Sequence, residues 1–286
     1  MEFLAMRLRK LLPLAGFAAC LWIISRADAK PAAPSSARTV RAETRHTISA
    51  EDEVKKHTDA GFEAIRKEDY KLAESEFKQA IELNPDYTGA HSGLGYAYYL
   101  EDRNEEAKQE YKKAIELDPD DPYPHDNLGD VYYDEDKYAE AEREYKAALA
   151  LNPAFSSSHN GLGDVYYEQK KLEQSESEYR QAIELNENYA RPHEGLAILY
   201  YDQNKNPEAE REFRKAIAIV SDRAYTRRKF GDFLYYNLDK NAEALWQYRK
   251  AFALNEKDAD ACVGIANACN ALVHLGGSSP LIVSYS

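Results

Sequence analysis

The sequence predicts an all-α solenoid of stacked helix hairpins, and three observations lead there. First, residues 122–155, PYPHDNLGDVYYDEDKYAEAEREYKAALALNPAF, match the flanking sequence when the chain is slid by 34 residues in either direction. A fixed period of this length marks a repeat architecture. Second, apolar residues within each period recur at helical spacing in two runs: Leu128, Gly129 and Tyr132, then Ala141, Tyr145 and Ala148. Each copy therefore holds two short amphipathic helices, A and B, each with one apolar stripe. Third, Pro153 stops helix B before the next copy begins, as a residue without a backbone N–H does. Gly129 and Ala141 are small where two axes approach closely, and Tyr132 and Tyr145 fill the space beside them. One hairpin cannot bury its stripe. Stacked neighbours can, so stability becomes a sum of repeat and interface terms along the array.

The same anchors stand one period upstream as Leu94-Gly95, Tyr98, Ala107, Tyr111, Ala114 and Pro119. One period downstream they are Leu162-Gly163, Tyr166, Ser175, Tyr179, Ala182 and Glu187. This spacing resembles the tetratricopeptide repeat, W-x2-L-G-x2-Y…A-x3-F…P, with His in place of the family's Trp. The resemblance implies a right-handed α-solenoid whose A helices line a concave groove for partner peptides, and a non-catalytic protein-binding role.

From the N-terminus, Arg7, Arg9 and Lys10 precede an apolar run of 14 residues, Leu11 to Ile24, and then Ala27-Asp28-Ala29. Residues 1–29 read as a secretory signal peptide cleaved after Ala29, since the run falls short of the ~18 to 20 residues that span a bilayer. The mature protein is expected outside the cytoplasm, periplasmic or secreted, without membrane insertion. Phe17-Ala18-Ala19-Cys20 is similar to a bacterial lipobox, which leaves a lipid anchor at Cys20 as the rival address. Residues 30–53 are rich in Pro, Ala, Ser and charge and lack an apolar period, as a flexible linker does. Six repeats follow at 54–87, 88–121, 122–155, 156–189, 190–223 and 224–258, the last one residue longer. Its A-to-B turn is the least defined. Residues 259–275 read as a terminal helix in the place of a cap, and 276–286 as a tail opened by Gly276-Gly277. Its polar positions Asp260, Asn267, Asn270 and His274 share one stripe of about 80°. Much of its remainder is apolar, with Val263 and Val273 expected to face outward and to support self-association.

Of the 286 residues 37 are Lys or Arg and 50 are Asp or Glu. Removing the signal leaves 33 basic against 48 acidic residues, a formal charge of −15. That surface repels nucleic acid and anionic lipid and favours a basic protein or peptide partner. Cys262 and Cys269 sit seven apart on one predicted helix, about 10 Å along its axis, and cannot pair while it is formed. His57, His91, His125, His159 and His193 share one offset of successive repeats. Equivalent positions on stacked helices lie about 8–10 Å apart, too far for a shared zinc. Packing between helices is the reading for this column, and its charging in mild acid is expected to loosen the stack. Gly93-Leu94-Gly95 and Gly161-Leu162-Gly163 lack the third glycine of a dinucleotide fingerprint, and DPDDP at 118–122 lacks the Gly and Glu of a calcium loop. No nucleophile–base pair, metal site or cofactor motif is assembled, so no enzymatic activity is expected.

The candidate site is a surface. Offsets five, nine, twelve and thirteen of helix A point away from the core stripe at 100° per residue, and the resemblance implies that they line the groove. They supply Phe62, Tyr96 and Tyr99, then the carboxylates Asp126, Asp130, Asp134, Asp164 and Glu168 beside Tyr133, Tyr167 and Tyr201. An extended or helical partner segment would be held by the aromatics and drawn in by the carboxylates through its Lys or Arg. The family's carboxylate clamp has no counterpart, because offset five holds Thr58, Ser92, Asp126, Asn160 and Glu194.

Overall fold

A computed structural model of the chain describes residues 49–275. The predicted signal peptide, most of the linker and the tail lie outside these residues. The described residues fall into two compact units, one ending at Pro153 and the other beginning at Ala154. Every regular element in them is an α-helix. The first unit contains α1 (Ala50–Arg66), α2 (Tyr70–Leu83), α3 (Thr88–Leu100), α4 (Asn104–Leu117), α5 (Pro122–Asp134) and α6 (Tyr138–Leu151). The second contains α7 (Ser156–Glu168), α8 (Leu172–Leu185), α9 (Ala190–Asp202), α10 (Asn206–Ile219), α11 (Ala224–Leu238), α12 (Asn241–Leu254) and α13 (Ala259–Leu275). Each consecutive pair is one A–B hairpin of the predicted repeat, and each unit is a helical solenoid segment. Within a unit, successive A helices pack on one another more closely than successive B helices, so the A helices form the inner layer.

One boundary differs from the sequence reading. Residues 50–53, read as linker, form the first turn of α1, because Ser49 and Asp52 build a reciprocal capping box in which the Ser49 hydroxyl accepts the Asp52 N–H. The signal for it, Ser followed three residues later by an acid before an apolar run, is in the sequence.

The hairpin geometry follows from three local devices. The A-to-B turns pivot on Glu68, Asp102, Asp136, Lys170 and Asn204, each left-handed with φ between 56° and 63°. The next N–H reaches back to the end of helix A, as Lys137 does to the Tyr132 carbonyl at 2.9 Å. In the sixth hairpin the extra residue lengthens helix A to Leu238, and the turn closes through left-handed Asp239, with Lys240 N–H on the Leu234 carbonyl. The second device is the missing side chain at Gly129, where a Cβ would lie 2.7 Å from the Tyr145 ring of the partner helix. Buried tyrosine bodies at 111, 145, 179 and 248 and phenylalanines at 77 and 213 occupy this seam.

The third device is a polar clasp. His57, His91, His125, His159 and His193 each set Nδ1 2.7–2.8 Å from a glutamate Oε2 on their own helix B, namely Glu76, Glu110, Glu144, Glu178 and Glu212. The histidine column is thus more than packing, since it bonds helix A to helix B in each of the first five repeats. In the sixth, Arg227 Nη1 donates to Gln247 Oε1 at 3.1 Å in the same place. His91 also directs Nε2 at the Pro85 carbonyl at 2.9 Å. With an acceptor at both ring nitrogens, its doubly protonated cation is the form that satisfies both, and the bond to Glu110 pushes its pKa up against the opposing effect of burial. On the outer side of the first unit, Glu74 on α2 accepts from Tyr98 on α3 and from Arg103 in the following turn, tying one repeat to the next.

The predicted terminal helix is α13, in the helix A place of a further hairpin. Ala261, Gly264 and Ala268 are buried, whereas Val263 and Val273 are 58% and 61% exposed. Cys262 and Cys269 are both free thiols.

Candidate interaction surface

The inner layer of the first unit carries Phe62, Tyr96, Tyr99, Asp126, Asp130, Tyr133 and Asp134, and that of the second carries Asp164, Tyr167, Glu168 and Tyr201. Their exposure is unequal. Glu168 is exposed, most of the others are half-buried, and Tyr99, Asp126 and Asp134 are buried at 7%, 5% and 6%. A row of freely exposed aromatics, expected at offset twelve, is therefore corrected at Tyr99. Its hydroxyl donates to Asp134 Oδ2 of the next repeat at 2.7 Å. Tyr167 does the same to Asp202 in the second unit. Burial, and then the Asp202 carboxylate, push the Tyr167 phenol above its usual range. The two rows that the sequence displays as separate groove features are thus donor and acceptor of one inter-repeat bond, spaced by one period plus one residue.

A second pairing rule explains offset nine. Tyr145 donates to Asp130 at 2.6 Å, Tyr179 to Asp164 at 2.7 Å, and Tyr248 to Asp232 at 2.9 Å. Where helix B carries phenylalanine instead, offset nine is apolar: Phe77 meets Phe62 edge-on at 5.1 Å, and Phe213 shares a repeat with Ile198. The choice between carboxylate and apolar group on the inner face thus follows the presence of a buried hydroxyl behind it. Each of these carboxylates accepts from a neutral phenol, so the bond itself adds no balancing positive charge.

In the second unit the carboxylates are accompanied by arginines. Arg191 lies 3.9 Å from Asp164, Arg223 3.5 Å from Glu194, and Arg228 3.5 Å from Asp232. Glu194 also accepts from Thr226. Sequence reasoning stopped the offset rows at the fifth repeat and missed their continuation through Arg228, Asp232, Tyr235 and Tyr236 on α11. Tyr235 and Tyr236 stack edge-on at 4.8 Å, and Tyr236 is 63% exposed. The same count from the start of the repeat would have found them. Among the described residues no group of His, Cys, Asp and Glu is placed to hold a metal ion, and no helix is long and apolar enough to cross a membrane.

Tetratricopeptide repeat models match residues 64–128, 127–190 and 194–220, together more than half of the chain's length. No curated protein matches the sequence. Among solved structures, the APC/C hetero-tetramer Cut9–Hcn1 aligns with a TM-score of 0.70 at 17% identity, over 78% of this chain and 44% of that one. This chain thus spans less than half of that relative. The Pseudomonas aeruginosa PilF structure aligns with a TM-score of 0.63 at 19% identity over 76% and 98% of the two chains. PilW, described as a type IV pilus biogenesis factor, aligns with a TM-score of 0.63 at 17% identity over 73% and 97%. At these identities the likeness is one of fold. With the repeat models spanning most of the helical region and the same A–B stacking in each unit, the chain belongs to the tetratricopeptide repeat family.

Proposed function

We propose that the protein is an extracytoplasmic scaffold that holds a basic segment of a partner against the acidic, tyrosine-bearing inner face of its A helices. Tetratricopeptide repeat proteins are generally non-catalytic and bind proteins or peptides, which supplies the class of activity. The observation that carries the finer reading is the occurrence on that face of the half-buried or exposed carboxylates Asp130, Asp164 and Glu168 with the half-buried Tyr96, Tyr133, Tyr167 and Tyr201, of which Tyr167 is already ordered by its bond to Asp202. Tyrosines held in place lose little entropy on binding, and carboxylates steer a cationic chain toward them. The address rests on the sequence alone: a basic start, a short apolar run and Ala27-Asp28-Ala29.

The test uses an alternating lysine–alanine nonapeptide and its glutamate–alanine counterpart on the full chain. The lysine peptide is expected to bind with an on-rate that falls as salt rises, and the glutamate peptide to give no signal. Replacing Tyr133 and Tyr167 by Ala is expected mainly to raise the off-rate. Equal response to both peptides, or indifference to the tyrosine changes, overturns the groove reading. N-terminal sequencing of protein from the native host is expected to begin at Lys30; Cys20 or Met1 as first residue rejects the signal cleavage.

A second reading is favoured by α13, whose Val263 and Val273 lie open. Self-association through this face predicts an elution volume that falls with rising concentration. Val263→Glu with Val273→Lys would abolish that shift, and a concentration-independent monomer rejects it.

A further inference from the structure

Among the described residues every helix A except α13 has a helix B of its own. In those hairpins helix B covers offsets seven, eight and eleven of helix A. Offset seven is Leu94, Leu128, Leu162 and Leu196, each 2–3% exposed, and offset eleven is Tyr98, Tyr132, Tyr166 and Tyr200, all buried. Offset eight is a glycine pressed by the helix B ring at Gly95, Gly129 and Gly163. On α13 these offsets are Ile265, Ala266 and Cys269, with Cys262 where the histidine clasp would stand. The other side of α13 is docked as in any repeat: Ala261, Gly264 and Ala268 are buried, and a Cβ on Gly264 would lie 2.5 Å from the Tyr248 ring of α12. Its helix B side stands open, with Cys262 and Ala266 exposed and Ile265 and Cys269 half-buried.

The open side has the make-up of a helix–helix seam. Cys262, Ala266, Cys269 and Val273 are spaced by four, three and four residues, the heptad spacing that holds one stripe against a partner helix. Small side chains in that stripe let two axes approach closely. From Ala261 to Val273 no residue is charged. The first helix of the chain is chemically unsuited to cover it. Offsets three, six and ten, which on α3 are the buried Ala90, Gly93 and Ala97, are on α1 Lys56, Asp59 and Glu63, all exposed. Stacking head to tail would press these charges onto an uncharged seam, at a desolvation cost. The seam of a second copy is the matching surface, and such a contact closes as a twofold dimer.

We propose that α13 pairs antiparallel with α13 of a second copy of this chain, across the side that meets helix B in the other hairpins. This rests on the self-association reading above and adds the face and the orientation. Charge sets the orientation. Asp260 and His274 stand at the two ends of the seam, both exposed; Asp260 approaches Arg228 at 3.6 Å yet keeps 67% of its side chain open. Antiparallel packing sets each Asp260 near the partner's His274, whereas parallel packing sets like against like. Matching the seam in this sense places Cys262 against the partner's Val273 and Ala266 against the partner's Cys269, with the twofold axis between Asn267 and Ala268. Cys269 then meets its own counterpart at a stagger of about 5 Å along the helix, whereas Cys262 is staggered from its own by about 16 Å.

The experiment uses the full chain with Cys20→Ser, so that Cys262 and Cys269 are the thiols present, and a bismaleimide with a two-carbon linker. Sedimentation is expected to show a monomer–dimer equilibrium, and the reagent to trap covalent dimer. Trapping is expected to survive Cys262→Ser and to vanish in Cys269→Ser. Ala266→Glu changes an exposed residue of the monomer. It is expected to raise the dimer dissociation constant by at least about tenfold while leaving the thermal midpoint of the monomer unchanged. Trapping that persists in Cys269→Ser denotes a parallel pair, and growth beyond the dimer denotes head-to-tail stacking; either overturns the inference while self-association stands. So does a dimer that yields no trapped product or is indifferent to Ala266→Glu. A monomer at every concentration overturns both the pairing and the self-association reading.

Discussion

Glu212 is the most heavily engaged of the clasp carboxylates, and replacing it by Gln isolates the worth of its charge. It is 4% exposed; its Oε2 faces His193 Nδ1 at 2.7 Å, and its Oε1 accepts from Arg211 at 3.0 Å and Lys215 at 3.2 Å. Burial alone would raise its pKa, but the bonds from His193, Arg211 and Lys215 outweigh it and bring the group from its ordinary 4.5 to about 2. A depression of that size corresponds to about 3 kcal/mol of stability at neutral pH. Because Arg211 and Lys215 are half-exposed and screened by solvent, about 2 kcal/mol is expected in practice. A depressed carboxylate contributes in full above its unfolded pKa and loses its contribution as pH falls through its folded pKa. The window here runs from pH 4.5 down to 2. Urea unfolding of wild type and Glu212→Gln, followed by circular dichroism across that range, measures the difference. It is expected near 2 kcal/mol at pH 7 and to vanish near pH 2. Glutamine keeps the shape and the bond to His193, so a difference that stays constant with pH, or none at pH 7, would refute an ionic clasp.

Three further outcomes are expected. His91 has a raised pKa, so its contribution is full below 6.5 and is lost as pH rises through the raised value. Mild acid therefore tightens this clasp, against the loosening expected from the sequence, and an NMR titration midpoint below 6.5 would reject it. Gly163→Ala places a Cβ 2.5 Å from the Tyr179 ring, whose hydroxyl is tied to Asp164. It is expected to cost about 1–3 kcal/mol in urea unfolding, and a neutral change would mean that the seam is looser than this. Lys170→Gly relieves a left-handed residue at φ 60° and is expected to raise stability by about 1 kcal/mol, whereas a loss would show that the turn draws on the lysine side chain.

The period, the helix hairpins, the six copies and the extra terminal helix were all legible in the residues, because each depends on spacing along one helix or on a turn between two. Gly129 and Ala141 announced a close helix approach for the same reason. The start of α1 was equally legible in Ser49 and Asp52, and was overlooked. What spacing could not reveal is which side chain answers which across separate helices. The His91–Glu110, Tyr145–Asp130 and Tyr99–Asp134 bonds join residues 19, 15 and 35 apart, and those pairings exist only once helix crossing angles bring the faces together. Hence part of what the sequence displays as groove chemistry, Tyr99 with Asp134 and Tyr167 with Asp202, became bonds between repeats on folding. Periodicity along the chain determined the architecture, whereas the tertiary packing of helix on helix decided which polar groups hold the stack together.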